Sequence, residues 1–186
     1  MEYQIAFDPE KCTQCLGCET ACKLWRNLPY GIRYRRVLNL WDGAYPEVKS
    51  TGFSLACLHC ATPACMAACP ADAIFRNAED GRVLVDTERC TGCRSCARAC
   101  PFGVPQFGED KTMQKCDLCA DHVAAGFDPP CVSTCPGQAL VFEAVTPAGK
   151  KARETMTVRM LKKYGRMRKT KTPKVISVRK KRTPAG

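Results

Sequence analysis

Apolar residues come in short runs along the chain, and none is long. Short apolar runs predict short strands at residues 4–7, 73–75, 83–85 and 139–142. Asp80-Gly81 supplies a turn that joins the second and third of these as a hairpin. Residues 117–125 read as a helix stopped by Gly126, just ahead of Asp128-Pro129-Pro130. Residues 23–56, which hold both tryptophans, read as an insert with a hairpin around Asp42-Gly43. From 152 to 164 an amphipathic helix is expected, with Ala152, Met156, Met160 and Tyr164 on one face. Beyond it, KTPKVISVRKKRTPAG reads as an extended arm. Elements this short cannot bury an ordinary apolar core, so something else must organise the chain.

Cysteine is the candidate organiser. All 16 cysteines sort into four quartets with none left over: Cys12, Cys15, Cys18, Cys22; Cys57, Cys60, Cys65, Cys69; Cys90, Cys93, Cys96, Cys100; and Cys116, Cys119, Cys131, Cys135. Each opens with C-x2-C and closes with C-x3-C. The middle gap is two, four, two and eleven residues. Short helices are expected to follow each C-x2-C-x2-C. FDPEKCTQCLGCETAC aligns with VDTERCTGCRSCARAC at an offset of 78, with 8 of 16 positions identical, and CMAACPADAI resembles CVSTCPGQAL. These are duplicated modules.

Three chemistries compete for such thiols. Disulfides are disfavoured, because cysteines three residues apart on a tight loop are poorly placed to bridge and no secretory signal is present. Structural zinc takes paired C-x2-C knuckles, and a third cysteine two residues further on suits the neighbouring corners of a cubane better. C-x2-C-x2-C-x3-C-P is the bacterial ferredoxin run, in which three thiolates hold one [4Fe–4S] cluster and the fourth holds its neighbour. Residues 90–101 match it in full. Cys69-Pro70 and Cys135-Pro136 repeat its ending, whereas Cys22-Lys23 lacks the proline. Four [4Fe–4S] clusters are therefore expected.

The formal charge of +11 is unevenly spread. From residue 150 onward there are 15 Lys/Arg and one acid, giving +14, while residues 1–149 hold 14 basic and 17 acidic residues, giving −3. Each cluster with its four thiolates adds about −2, so the body falls to about −11 beside the basic tail. Thiolates at this density are tolerable only with iron, so cluster loss should unfold the body.

Nothing else in the chain suggests catalysis. His59 reads as a packing or hydrogen-bonding residue near a cluster, and His122 as a surface residue. Nucleotide-binding and nucleophile-elbow motifs are absent from the sequence. Acidic pairs such as Glu79-Asp80 fall in turns. Four redox centres without a catalytic constellation read as a conductor of electrons and not as an enzyme.

The order of the quartets, with Tyr34-Arg35-Arg36-Val37, His59 and Pro63 within CLHCATPAC, and Met113-Gln114-Lys115-Cys116-Asp117, resembles the four-cluster electron-transfer subunits of molybdenum or tungsten oxidoreductases of the dimethyl sulfoxide, thiosulfate and polysulfide reductase type. The resemblance covers roughly residues 3–143 and implies an α+β fold of two interlocked ferredoxin-like halves. Residues 1–22 with 101–149 would form the outer half, 57–100 the inner half, 23–56 the insert, and 150–186 a basic tail for subunit docking. Carried over, it implies that Cys12, Cys15, Cys18 and Cys135 hold the cluster nearest a catalytic metal. Cys116, Cys119, Cys131 and Cys22 would hold the next. Cys57, Cys60, Cys65 and Cys100 would lead to Cys90, Cys93, Cys96 and Cys69. Pairing the first quartet with the last would also set strand 4–7 beside strand 139–142.

The implied role is a relay between a molybdenum- or tungsten-pterin catalytic subunit and a quinone-linked, flavin or ferredoxin partner, with a membrane anchor or flavin subunit as further candidates. A free-standing polyferredoxin is the alternative. A nucleic-acid-binding role resting on Arg179-Lys180-Lys181-Arg182 is disfavoured by the acidic body, and no nucleic-acid partner is expected. The charge asymmetry also allows head-to-tail self-assembly. The N-terminus MEYQIAFDPEKC lacks a signal peptide, so the cytoplasm is the expected compartment, with co-export on a signal-bearing partner to the periplasm as the alternative.

Overall fold

The computed structural model describes residues 1–165, so the extended arm expected at 171–186 and its cationic run lie outside the described residues. In chain order the elements are β1 (Tyr3–Phe7), α1 (Gly17–Trp25), β2 (Arg36–Ala44), β3 (Glu47–Leu55), α2 (Ala64–Ala67), β4 (Ile74–Arg76), β5 (Val83–Val85), α3 (Ser95–Ala99), β6 (Gln106–Phe107), β7 (Met113–Gln114), α4 (Ala120–Ala124), α5 (Pro130–Ser133), β8 (Leu140–Ala144) and α6 (Pro147–Gly165). Small helices and short antiparallel strands alternate, an α+β arrangement.

The described strands pair two by two. β1 and β8 lie antiparallel from Tyr3↔Ala144 to Phe7↔Leu140, joining the two outer quartets as expected. Tyr3 stacks on Phe142 at 5.1 Å. β4 and β5 form the expected hairpin, with Gly81 N–H donating to the Asn77 carbonyl at 2.9 Å. The small β6–β7 pair was not foreseen, since two residues per strand leave no alternation to read.

Three expectations are corrected. The hairpin expected around Asp42-Gly43 is formed by β2 and β3, but both residues lie inside β2, which runs to Ala44, and Tyr45-Pro46 makes the reversal. Gly43 is needed because its φ is +86° and a Cβ there would stand 2.1 Å from the Glu47 carbonyl oxygen. The helix expected over 117–125 is only α4, because Leu118 and Cys119 have φ of 62° and 51° and cannot enter it. It stops before Gly126, as expected.

The third correction concerns α6, which starts five residues earlier than expected and buries a different face. Ala152 and Met156 are exposed, while Lys150 and Thr157 are the residues fully covered. The surface beneath this helix offers backbone polar groups. Arg153 donates to the Ile5 carbonyl at 2.7 Å, Glu154 accepts from Ala61 N–H at 2.7 Å, and Lys150 lies 2.7 Å from the Glu2 carboxylate. Apolar contact takes over further along, where Val158, Met160 and Leu161 pack on the group of Phe53, Leu55, Leu58 and Phe102.

The buried apolar residues form three small groups, each interleaved with cysteines. Cysteine side chains thus occupy positions that leucine and valine fill in an ordinary core.

Candidate iron–sulfur centres

None of the sixteen cysteines is joined to another, so the disulfide alternative is not realised. Among the described residues no three His, Cys, Asp or Glu side chains stand close enough to hold a lone metal ion.

Each ligand loop is built the same way. The residue before the second cysteine of each quartet has a left-handed backbone: Gln14 at 58°, His59 at 47°, Gly92 at 69° and Leu118 at 62°. Leu16 and Arg94, one residue after a cysteine, both sit at 62°. Reversals of this kind turn successive N–H groups inward as an anion-binding concavity. Some already reach sulfur: Leu118 N–H donates to Cys116 Sγ at 3.4 Å, Met113 N–H to Cys90 Sγ at 3.4 Å, and Ala139 N–H to Cys135 Sγ at 3.3 Å. Glycine marks this conformation at only one of the four equivalent positions, which is why it could not be read from sequence.

The fold brings cysteines of different quartets together. Cys12, Cys15, Cys18 and Cys135 line one pocket with Phe7, Leu16, Val37 and Leu140. The insert closes this site, because β3 passes so near that a Cβ on Gly52 would stand 2.6 Å from Cys12 Sγ. Cys22 lies against the last quartet; burial, then the nearby Cys131, pushes its thiol up to about 12. Burial likewise raises Cys116, with Cys22, Cys131 and Cys57 adding to the effect. Cys60 is pushed up to about 12 by burial, with Glu154, Cys57, Cys100 and Cys65 as further causes. Cys65, Cys69 and Cys90 pack around Cys96 in the third apolar group. Cys15 and Cys93 are the exposed members, and backbone N–H groups of Gly17 and Ser95 lower their thiols.

These sulfurs fit a cationic inorganic core. Buried thiols held well above their ordinary range stay protonated unless a metal replaces the proton, which suits this donor set to a metal-bound core. His59 supplies a second sign of fit. Its ring is 1% exposed, its Nδ1 accepts from Val83 N–H at 3.0 Å, and the protonated Nε2 has no partner among the described residues. A buried donor between Cys57 and Cys60 suits a sulfur-rich acceptor. Burial and the nearby Lys115 hold this imidazole far below its ordinary pKa, so it stays neutral, in line with a packing role. His122 differs from expectation, since it is half-buried between Trp25, at 4.4 Å, and Phe127, at 5.2 Å.

Sequence reading missed the buried cations. Arg35, Lys115 and Lys150 are buried, and Arg153 is largely so. Arg35 and Lys115 lie in two of the non-cysteine motifs quoted above, but nothing in those motifs said that the charges point inward.

Comparison with known proteins agrees with this chemistry. Residues 48–145 match a 4Fe-4S dicluster domain and residues 9–31 a 4Fe-4S binding domain. The sequence is 40% identical over 159 residues to a component of the anaerobic dimethyl sulfoxide reductase of Escherichia coli K12, covering 81% of this protein and 77% of that one. It is 38% identical to the formate dehydrogenase iron-sulfur subunit of Wolinella succinogenes, over 72% and 77% of the two proteins. It is 32% identical to a component of the sulfite dehydrogenase of Allochromatium vinosum, over 74% and 67%. With ferredoxin-type domains over both ends of the cysteine array and this likeness along most of its length, the chain belongs to the [4Fe–4S] electron-transfer subunits of molybdenum-type oxidoreductases and is not itself a catalytic subunit.

Proposed function

We propose that the chain is a four-cluster relay carrying single electrons between a molybdenum- or tungsten-pterin catalytic subunit and a quinone-linked, flavin or ferredoxin partner. The observation that carries it is the pocket lined by Cys12, Cys15, Cys18 and Cys135, since three cysteines of one loop meet the last cysteine of a module 117 residues away. That is the ferredoxin exchange of the fourth ligand. By the same rule Cys116, Cys119, Cys131 and Cys22 would hold a second cluster. Cys57, Cys60, Cys65 and Cys100 would hold a third, and Cys90, Cys93, Cys96 and Cys69 a fourth. Bound there, the clusters supply one-electron redox chemistry without proton transfer.

The packing supports this order and the interlocking of two halves. α1 packs on α5 and α2 on α3, which sets the outer quartets against each other and the inner quartets against each other. Cys57 packs against both the first and second apolar groups, and Cys65 against the third. Neighbouring ligand sets therefore touch in the sequence first, second, third, fourth. The protein's part is to hold the sulfurs, exclude water from the second set and keep His59 neutral.

The same geometry favours a subunit over a free polyferredoxin, because the Cys15 end carries an exposed apolar surface of Leu16, Leu24 and Trp25. The site of action is proposed to be the cytoplasm, or the periplasm if a signal-bearing partner carries the folded subunit. Head-to-tail self-assembly is a separate proposal. Lys150 and Arg153 are engaged with the chain's own body, so the other cations of residues 150–186 would have to supply the contact. Removing residues 150–186 should abolish any such assembly.

Iron and acid-labile sulfide analysis tests the relay. Roughly sixteen of each per chain are expected from four cubanes. Zinc without sulfide would end the reading.

A further inference from the structure

Three of the buried cations meet oxygen. Lys115 donates to the carbonyls of Val83 and Cys116, Lys150 faces Glu2, and Arg153 reaches the Ile5 carbonyl and Gln4 Oε1. Arg35 is different. It is 4% exposed, and its Nη1 donates to Ser54 Oγ at 2.9 Å. Ser54 Oγ lies in turn 3.6 Å from Cys18 Sγ. Among the described residues Arg35 forms no ion pair with a carboxylate, and the cysteines that act on its charge are Cys131, Cys116, Cys18 and Cys22. Those four residues belong to the first two proposed ligand sets, one from the first and three from the second.

A buried guanidinium without a counter-charge is strongly unfavourable, so its anion must come from outside the side-chain inventory. A cluster with four thiolates is such an anion, and it becomes one charge more negative when an electron enters. A fixed cation beside it favours the reduced form, because the Coulomb attraction grows with the added charge and is poorly screened in the interior.

From this we infer that Arg35 is the positioning charge that raises the reduction potentials of the two clusters held by Cys12, Cys15, Cys18, Cys135 and by Cys116, Cys119, Cys131, Cys22, acting through Ser54 on the first and through space on the second. The inference rests on the ligand assignment proposed above. One electron arrives from the redox partner and one leaves to the next cluster. Arg35 keeps its protons throughout, so no acid or base is required.

EPR-monitored redox titration of the full-length, cluster-loaded chain tests it, with Arg35→Gln, Arg35→Lys and Ser54→Ala beside the unaltered protein. In Arg35→Gln the reduced-to-oxidised ratio at a fixed potential should fall by about tenfold for two clusters, equivalent to about 59 mV for one electron. The other two should move by less than about threefold. Arg35→Lys, which keeps the charge, should restore both ratios to within about threefold. Ser54→Ala should move a single cluster. Unchanged potentials in a fully loaded Arg35→Gln protein, or an equal shift on all four clusters, would overturn the inference while leaving the relay intact. Should Arg35→Gln fail to load, Ser54→Ala decides: a shift confined to one cluster supports the inference and no shift overturns it. An unaltered chain lacking roughly sixteen irons would instead sink the ligand assignment itself.

Discussion

The first and third ligand loops are copies in backbone and opposites in surface. Asp8 and Asp86 each accept from the N–H two residues on at 3.0 Å, and each donates its own N–H at 2.8 Å, to the carbonyls of Ala139 and Ala73 respectively. Leu16 and Arg94 occupy the same place, φ 62° in both, immediately before the helix. There the likeness ends. α3 stops at Cys100 because Pro101 follows, whereas Cys22-Lys23 lets α1 run on to Trp25. The longer helix carries Leu24, 75% exposed, and Trp25, 49% exposed, beside Leu16; Phe127 adjoins them through His122. At the position equivalent to Leu16 the other loop presents Arg94, and where α1 has Thr20 its helix presents the exposed Arg98. The missing proline and the exchange of Leu16 for Arg94 together separate an apolar end at Cys15 from a cationic end at Cys93. Permanent subunit contacts are apolar at their centre, while transient redox encounters are small and steered by charge. The Cys15 end is suited to the first kind and the Cys93 end to the second.

Breaking the interior between these ends should have the largest effect. Cys116 is buried, and its neighbours come from three quartets. Cys116→Ser should remove about half or more of the bound iron and cause loss of soluble protein, because an incomplete buried set exposes the others to water and to protonation. Cys93 is exposed at the rim, so Cys93→Ser should cost about a quarter of the iron or less and leave the fold in place. Iron analysis with circular dichroism checks both. Equal losses would mean that the two ends are not independent of the middle.

How much of this could be read beforehand follows from the kind of signal each feature leaves. The quartets, the duplicated modules and the β4–β5 hairpin were legible because thiol spacing and turn chemistry are local, whereas the β1–β8 closure followed only from the ligand pairing that the family resemblance implied. The left-handed residues at Gln14, His59 and Leu118 were not, because the fold imposes that backbone on side chains that do not prefer it. The buried face of α6 was misread for a related reason. Apolar periodicity pointed to Ala152 and Met156, but the surface below offers the Ile5 carbonyl and the Ala61 N–H, and Arg153 and Glu154 answer those. Charges such as Arg35 usually face water, and only the density of sulfur around this one makes an inward position tolerable.

Exchanging the two surfaces gives the sharper and smaller effects. Leu16→Arg makes the first end resemble the third loop and should weaken binding to the catalytic subunit by about 10- to 100-fold, or about 1.4 to 2.8 kcal/mol, since a cation would be desolvated in an apolar contact. Calorimetry on the purified pair measures it. Arg94→Leu is the reverse change. Arg94 lies over the Phe107 ring at 5.3 Å, so its removal exposes that ring without opening the core. The catalytic-subunit affinity should stay within about threefold, while electron transfer to the distal partner slows by about two- to fivefold at low salt and becomes less salt-dependent. Stopped-flow reduction at two ionic strengths separates these outcomes. If Arg94→Leu weakens the catalytic-subunit complex as strongly as Leu16→Arg does, both ends face the same partner, and the division of labour between the apolar and cationic loops is wrong.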